Sequence, residues 1–137
     1  MFWIIIIFLI LFLIYLHFSK IKRRNKDFII KESKIHNLGL FANKDFKEND
    51  IMIKDLFPYV KENKTIKNNF DEVIIKEGKY INHCQKSVNC DVQFKNNKYF
   101  LICLKDIKKG DEIYADYDNI NKKFNFIAPS KSYYKSC

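Results

Sequence analysis

The sequence predicts a small β-rich α+β domain preceded by one transmembrane helix. Three observations predict this: an uncharged apolar run at the N-terminus, short apolar stretches separated by polar turns over residues 28–118, and little helical periodicity. A chain of 137 residues has room for one such domain and its attachments. We divide it into a transmembrane helix (1–19), a basic juxtamembrane linker (20–27), a folded domain (28–118) and a basic aromatic tail (119–137).

The N-terminal segment is apolar or aromatic from Phe2 to Phe18, with His17 as the one exception. Its length is at the short end of what crosses a bilayer, for which about 20 residues are typical. A signal peptide would need a small-residue cleavage site and a core helix would need a polar face, and the segment shows neither. Cations cluster directly after it, at residues 20–26, and such cations mark the cytosolic side of a span. The sequence therefore predicts a single-pass membrane protein whose C-terminal domain faces the cytosol.

The net charge of +9 comes from the two flanks of the predicted domain. Five cations lie in residues 20–26 and four in the tail, whereas the other 16 cations balance the 16 acidic residues. A nucleic-acid binder concentrates its cations on the folded face that meets phosphate. We therefore expect no direct nucleic-acid binding, and we interpret the basic run as a contact with membrane lipids rather than a nuclear address.

The cysteines are four in number and stand at positions 84, 90, 103 and 137. In a domain that faces the cytosol they are expected to be reduced thiols. There is no C-x-x-C pair, and the spacing of His83, Cys84 and Cys90 fits no usual structural zinc site. The sequence therefore predicts no metal centre.

The domain is expected to consist of short strands, at residues 28–30, 40–42, 50–56, 99–104 and 112–117. Apolar residues run together in 50–54, as in a strand buried on both faces. A polar loop over 61–78 is expected to hold a short helix near 69–75. Residues 108–111 predict a turn in which Gly110 is free to take a positive φ.

Three segments, here called the first, second and third motifs, carry the residues that chemistry could use. They read His-Asn-Leu-Gly-Leu-Phe-Ala (36–42), Lys-Tyr-Ile-Asn-His-Cys (79–84, followed by Ser-Val-Asn-Cys at 87–90) and Ile-Lys-Lys-Gly-Asp-Glu-Ile-Tyr-Ala-Asp-Tyr (107–117). Together they resemble the SET-domain family of protein lysine methyltransferases, whose pattern runs G-x-G-L-F-A, R-F-I-N-H-S-C-x-P-N and I-x-x-G-E-E-L-T-x-D-Y. The motifs occur in the family's order, and the resemblance covers residues 28–118.

The resemblance implies a SET-type fold of short curved sheets with a C-terminal pseudoknot. It also implies a cleft for S-adenosylmethionine (SAM) on one face, joined by a narrow channel to the entry of a substrate lysine on the other. It assigns cofactor binding to the backbones at Asn37, Leu38, Gly39 and His83 and to the amide and backbone of Asn82, and catalysis to Tyr117.

The chemistry of methyl transfer suits these residue types. Transfer from a sulfonium to an amine is an in-line displacement, so catalysis is largely alignment. The acceptor lysine, with a free pKa of about 10.4, must be neutral, and an apolar channel that ends at a positive sulfur lowers that pKa. The Tyr117 hydroxyl would orient the amine lone pair. The simpler alternatives are a core-packing role for Tyr117 and an ordinary turn at Asn82 and His83.

The sequence departs from the family pattern at three places in the first two motifs. Asn37 stands where the family has glycine, although asparagine tolerates left-handed backbone better than most residues. Cys84 replaces the expected serine, and one extra residue precedes Asn89. These departures favour an alternative, a catalytically inactive SET fold acting as a membrane-tethered binding module. Retention of Asn82 and Tyr117 favours an enzyme.

The predicted function is therefore SAM-dependent protein-lysine N-methylation by a domain tethered to a membrane. Its partner would be a protein that presents a lysine, histone or non-histone. The aromatic residues of the tail allow two interpretations, a disordered tail and a lid over the cofactor.

Overall fold

The computed structural model describes residues 6–13, 27–57, 74–75 and 77–124. Residues 6–13 are helical and exposed. Within the described ranges, no helix combines the length and apolar character needed to cross a membrane. Part of the span predicted over 1–19, residues 69–73 of the expected short helix, and the tail after Phe124 lie outside these ranges.

The first two strands form an antiparallel hairpin made of β1 (Phe28–Glu32) and β2 (Leu38–Ala42). The register pairs Phe28 with Ala42 at one end and Glu32 with Leu38 at the other. Both strands predicted for this region are confirmed, and each is longer than expected. The connection ends at Asn37, which has a φ of 36°. Asparagine thus takes the left-handed conformation that the family's glycine would take.

The other strands form one five-stranded sheet in the order β3-β6-β5-β7-β4. They are β3 (Ile51–Lys54), β4 (Asn82–His83), β5 (Cys90–Lys95), β6 (Lys98–Cys103) and β7 (Tyr114–Ala115). Strands β3, β6 and β5 run antiparallel, whereas β7 is parallel to both of its neighbours. The last strand therefore inserts between two strands that come earlier in the chain.

The hairpin of β5 and β6 turns on two asparagines. Asn96 and Asn97 have φ values of 51° and 57°, and a two-residue turn with both φ values positive matches the right-handed twist of the strands. Sequence reasoning missed β5, although Cys90, Val92 and Phe94 alternate with polar residues at the period of a half-buried strand. The signal was present on both sides of the turn.

The third motif connects the two sheets. Its first half runs beside β2, because Gly110 N donates to Ala42 O at 2.8 Å and Ile113 N donates to Leu40 O at 2.8 Å. Its second half is β7. Gly110 takes a φ of 97°, which confirms the predicted turn. One segment thus holds the first and second motifs together.

The strand predicted over 112–117 is wrong at its C-terminal end, where Tyr117 begins helix α1 (Tyr117–Phe124). The cause is a helix cap: the Asp116 carboxylate accepts hydrogen bonds from Asp118 N at 3.0 Å and Asn119 N at 3.2 Å. The predicted domain boundary at residue 118 falls inside this helix. Ile120 is buried on the core side of α1.

The core lies between the sheet, the hairpin and α1. Its largest fully buried side chains are Leu40, Leu56, Phe57, Tyr99, Leu101, Ile107 and Ile113. The expectation of a strand buried on both faces is confirmed in the middle of β3, where the consecutive residues Met52 and Ile53 are both buried, and is wrong at Ile51, which is 49% exposed. Ile51 is the first residue of β3, which is one of the two edge strands of its sheet.

The cysteines follow the expectation of reduced thiols only in part. Cys90 and Cys103 are free and buried, and burial raises the pKa of the Cys103 thiol to about 11. Cys84 is disulfide-bonded, so the expectation is wrong there.

Candidate functional site

The site is built around the buried side chain of Asn82, which joins all three motifs. Its Nδ2 donates to Glu112 Oε1 at 2.8 Å and to Leu38 O at 3.2 Å, with a longer contact of 3.5 Å to His36 O. All three partners are acceptors, so the orientation of the amide is determined: the nitrogen faces the protein and Oδ1 faces away from these partners. The two backbone carbonyls belong to the residues before and after Asn37. Three residues predicted to bind the cofactor, Asn37, Leu38 and Asn82, therefore lie together.

The carbonyl oxygen of Asn82 remains available to a ligand. Among the described residues, no group donates a hydrogen bond to Asn82 Oδ1. The atom is also accessible to solvent. Among the described residues, Asn121 Oδ1 is the only side-chain N or O atom that is fully buried and lacks a hydrogen-bond partner, so Asn82 Oδ1 is not fully buried. A buried asparagine that offers one open acceptor is suited to a ligand that donates.

Gly39 is required beside Asn82 for reasons of space. A Cβ at Gly39 would lie 2.2 Å from Glu112 Oε1 and 3.1 Å from Asn82 Nδ2. Even an alanine there would push the carboxylate away from Asn82. The second glycine of the motif therefore lets the backbone of β2 approach the Asn82 amide closely, whereas the first glycine is replaceable by asparagine.

The carboxylate of Glu112 is a functional feature that sequence reasoning missed. Glu112 is only 8% exposed, and it also accepts a hydrogen bond from the Tyr114 hydroxyl at 2.8 Å. Burial, and then the hydrogen bond to Glu112, raise the pKa of Tyr114 well above its usual value, so the phenol stays protonated and remains a donor. A glutamate in the third motif was the only available signal, and nothing in the sequence said that it would be buried.

Asn89 has a different task from Asn82. Its Nδ2 donates to Glu112 O at 2.8 Å, and its Oδ1 accepts from Tyr114 N at 2.8 Å. The side chain thus pairs with the backbone of the third motif as a strand would. The extra residue before Asn89 has not displaced it from this position.

Tyr117 lies at the start of α1, against the second motif. Its hydroxyl donates to the carbonyl oxygen of Ile81, and its backbone N–H donates to His83 Nδ1 at 3.0 Å. The two rings lie 5.4 Å apart between centroids. Because Nδ1 accepts, the proton of a neutral His83 ring is on Nε2. The structure therefore brings Tyr117 to the same short segment, residues 81–83, that carries Asn82.

One group of potential metal ligands was not anticipated. His83, Asp116 and Asp118 each place one ligand atom within 4.8 Å of the others, and all three side chains are half-buried. Asp116 already caps α1 and His83 already accepts from Tyr117. These contacts explain the arrangement, and we assign no metal to it.

Comparison with known proteins agrees with this geometry. The family model described as "SET domain" matches residues 58–118, which contain the second and third motifs. The match starts after the first motif, whose place beside Asn82 comes from the structure. A search of curated proteins finds no match. The match confirms the resemblance to SET domains over residues 58–118. SET-domain proteins are generally SAM-dependent lysine methyltransferases.

Proposed function

We propose that this chain is a SAM-dependent protein-lysine N-methyltransferase. One observation carries the proposal: residues 81–83 hold an open amide oxygen, that of Asn82, and anchor the hydroxyl of Tyr117 through Ile81 O. The amide oxygen that would accept a hydrogen bond from the cofactor and the hydroxyl that would orient the amine are thereby fixed to the same short segment. Since methyl transfer is chiefly alignment, a common rigid support for both is what the reaction requires.

The residues around Asn82 fit a cofactor that carries an ammonium group and a sulfonium. The backbone at Asn37, Leu38 and Gly39 would hold its amino-acid end together with the amide of Asn82, and the backbone of His83 would hold its adenine. SAM, when bound, supplies an electrophilic methyl group on a positive sulfur. The open oxygen of Asn82 suits such a cation, because an amide attracts positive charge without being readily alkylated.

The role proposed for Tyr117 follows from where its hydrogen atom goes. The hydroxyl donates to Ile81 O, and a phenol oxygen that donates can also accept, here an N–H from the substrate amine. An amine held by one N–H has its own lone pair turned elsewhere, toward the methyl group. The same hydrogen bond lowers the entropy that the tyrosine side chain must lose when the substrate arrives.

The substrate proposed is a protein that presents a lysine, of histone or non-histone origin. We also propose that the domain is tethered to the cytosolic face of a membrane. This rests on the sequence alone, on the apolar run from Phe2 to Phe18 and on the cations of residues 20–26.

The proposal is tested with Tyr117→Phe in the full chain, purified in a mild detergent. Transfer of labelled methyl from SAM to a panel of lysine-bearing proteins should fall 100-fold or more, about 3 kcal/mol, as for other single well-placed polar groups. SAM affinity, measured by calorimetry on the same preparation, should barely change, because the lost contact acts mainly in the transition state.

The matched control is Tyr99→Phe, which removes the same atom from a tyrosine packed in the core between Phe57 and Phe124. It should keep its methyl transfer. Full activity in Tyr117→Phe would contradict the proposed role of that residue. A folded wild-type chain that binds SAM but modifies no lysine protein would favour the inactive binding module instead.

A further inference from the structure

Glu112 is a buried carboxyl group whose hydrogen-bond partners are neutral. Its two carboxylate oxygens accept from Asn82 Nδ2 and from the Tyr114 hydroxyl, both at 2.8 Å. Its backbone carbonyl accepts from Asn89. In the described part of the chain, no lysine, arginine or histidine forms an ion pair with it.

Such an arrangement is costly unless a positive charge approaches from elsewhere. Removing a carboxylate from water is expensive, and two neutral hydrogen bonds return only part of that cost. Five aspartate side chains have lysine partners, whereas Glu112 has none in the described ranges. Glu112 therefore lacks a counter-charge that the protein supplies elsewhere.

The position of Glu112 indicates where that charge would come from. The carboxylate lies against Gly39, where a Cβ would come within 2.2 Å of Oε1, and it is bonded to the inward face of the Asn82 amide. The outward face of the same amide carries the open oxygen. The side chain of Asn82 thus lies between the Glu112 carboxylate and the ligand, and it keeps the carboxylate from contacting the ligand directly.

We infer that Glu112 is a positioning residue that makes this site selective for a cationic sulfonium ligand over its neutral thioether product. The inference rests on the proposed function. Glu112 fixes Asn82 with its oxygen outward, and its negative charge acts through the poorly screened interior on whatever the amide binds. Both the methyl donor and its product carry the amino-acid end, so only the charge on sulfur separates them.

The selectivity is useful to an enzyme because donor and product otherwise compete for one cleft. After methyl transfer the sulfur loses its positive charge, and the attraction to Glu112 is lost at the same moment. The product is then held less tightly than the donor. Shielding by Asn82 matters too, since a carboxylate in contact with the methyl group could itself be methylated.

The test compares two probes, SAM and S-adenosylhomocysteine, by calorimetry on the full chain in detergent. Glu112→Gln keeps the shape of the side chain and an acceptor oxygen for Asn82 Nδ2, and it removes the charge. Its new amide nitrogen would face the Tyr114 hydroxyl, which can rotate to accept. We expect the loss of SAM affinity to exceed the loss of S-adenosylhomocysteine affinity by roughly tenfold, because both probes carry the ammonium group and only SAM carries a charge on sulfur. The matched control is Asp111→Asn, which removes the same charge from the exposed neighbouring position and should change neither affinity.

Equal losses for both probes in Glu112→Gln would make Glu112 merely structural and overturn the inference alone. Failure of a folded wild-type chain to bind either probe would overturn the proposed function, and this inference with it. If Glu112→Gln does not fold, Tyr114→Phe replaces it. Tyr114→Phe removes one neutral hydrogen-bond donor to Glu112 and leaves the carboxylate charge less compensated. The preference for SAM over S-adenosylhomocysteine should therefore rise. A fall or no change in that preference would refute the selectivity.

Discussion

The two buried asparagines of the second motif, Asn82 and Asn89, differ in what their side chains leave unused. Asn89 is 6% exposed and uses both ends of its amide on the backbone of the third motif. Asn82 is 9% exposed, donates inward through its nitrogen and keeps its oxygen open. An amide that uses both its nitrogen and its oxygen in hydrogen bonds to the protein stabilises the fold. An amide whose oxygen has no partner in the protein can accept a hydrogen bond from a ligand.

The contrast extends to the segments on either side of them. Asn89 begins the part of the chain that enters β5 and the apolar core, where the buried groups find partners within the protein. Asn82 lies in β4, the edge strand, with the first motif on one side and Tyr117 on the other. Stability and binding are therefore separated along one motif, and substitutions should separate them too.

The largest effect on stability is expected from Asn89→Ala. It leaves Glu112 O and Tyr114 N without their side-chain partner, and each such loss costs about 1–3 kcal/mol in buried surroundings. The free energy of unfolding should fall by roughly 2–4 kcal/mol, as measured by urea denaturation. An unchanged unfolding midpoint would mean that the backbone of the third motif is held without Asn89.

A smaller effect, and on a different quantity, is expected from Asn82→Ala. SAM affinity should weaken by roughly 1–3 kcal/mol, because the ligand loses its acceptor and Glu112 loses a donor. Calorimetry on the full chain measures this, with Asn89→Ala as the comparison at a temperature where that variant is folded. If Asn89→Ala weakened SAM binding as much as Asn82→Ala, the proposed division between the two residues would be wrong.

The smallest effect is expected in the first motif, at Asn37. Because Asn37 has a φ of 36°, Asn37→Gly should change stability and SAM affinity by no more than about 0.5 kcal/mol. Asn37→Ala should destabilise by about 1 kcal/mol, because a side chain without local hydrogen bonding resists positive φ. Thermal melts and SAM titration of both variants check this. A large gain in SAM binding by Asn37→Gly would show that the departure from the family's glycine impairs the site.

Local patterns allowed much of this site to be predicted. The first motif required a left-handed residue at position 37, and asparagine is among the few that adopt one. The grouping of Asn37, Leu38 and Gly39 with Asn82 followed from motif order and is what the contacts show. The role assigned to Tyr117 stays a prediction, although the structure places its hydroxyl on the second motif.

Other features depend on contacts between residues far apart in the chain. Asn82 and Glu112 are separated by 30 positions, and no local pattern distinguishes a glutamate that will be enclosed from one that will be solvated. The end of β7 was misplaced for a related reason. Tyr114-Ala115-Asp116-Tyr117 reads as a strand, but Asp116 caps a helix once the chain leaves the sheet.

The sequence by itself determined which residues are chemically able to take part, because side-chain type, spacing and turn preference are local properties. It determined the hairpin of the first motif, the Gly110 turn and the resemblance to SET domains. Only the tertiary structure decided which of two similar asparagines is open to a ligand, and which of the acidic residues is buried without a described counter-charge. Those outcomes depend on which groups meet when the third motif inserts between β2, β4 and β5, since a hydrogen bond or a desolvated charge is defined by its neighbours in space.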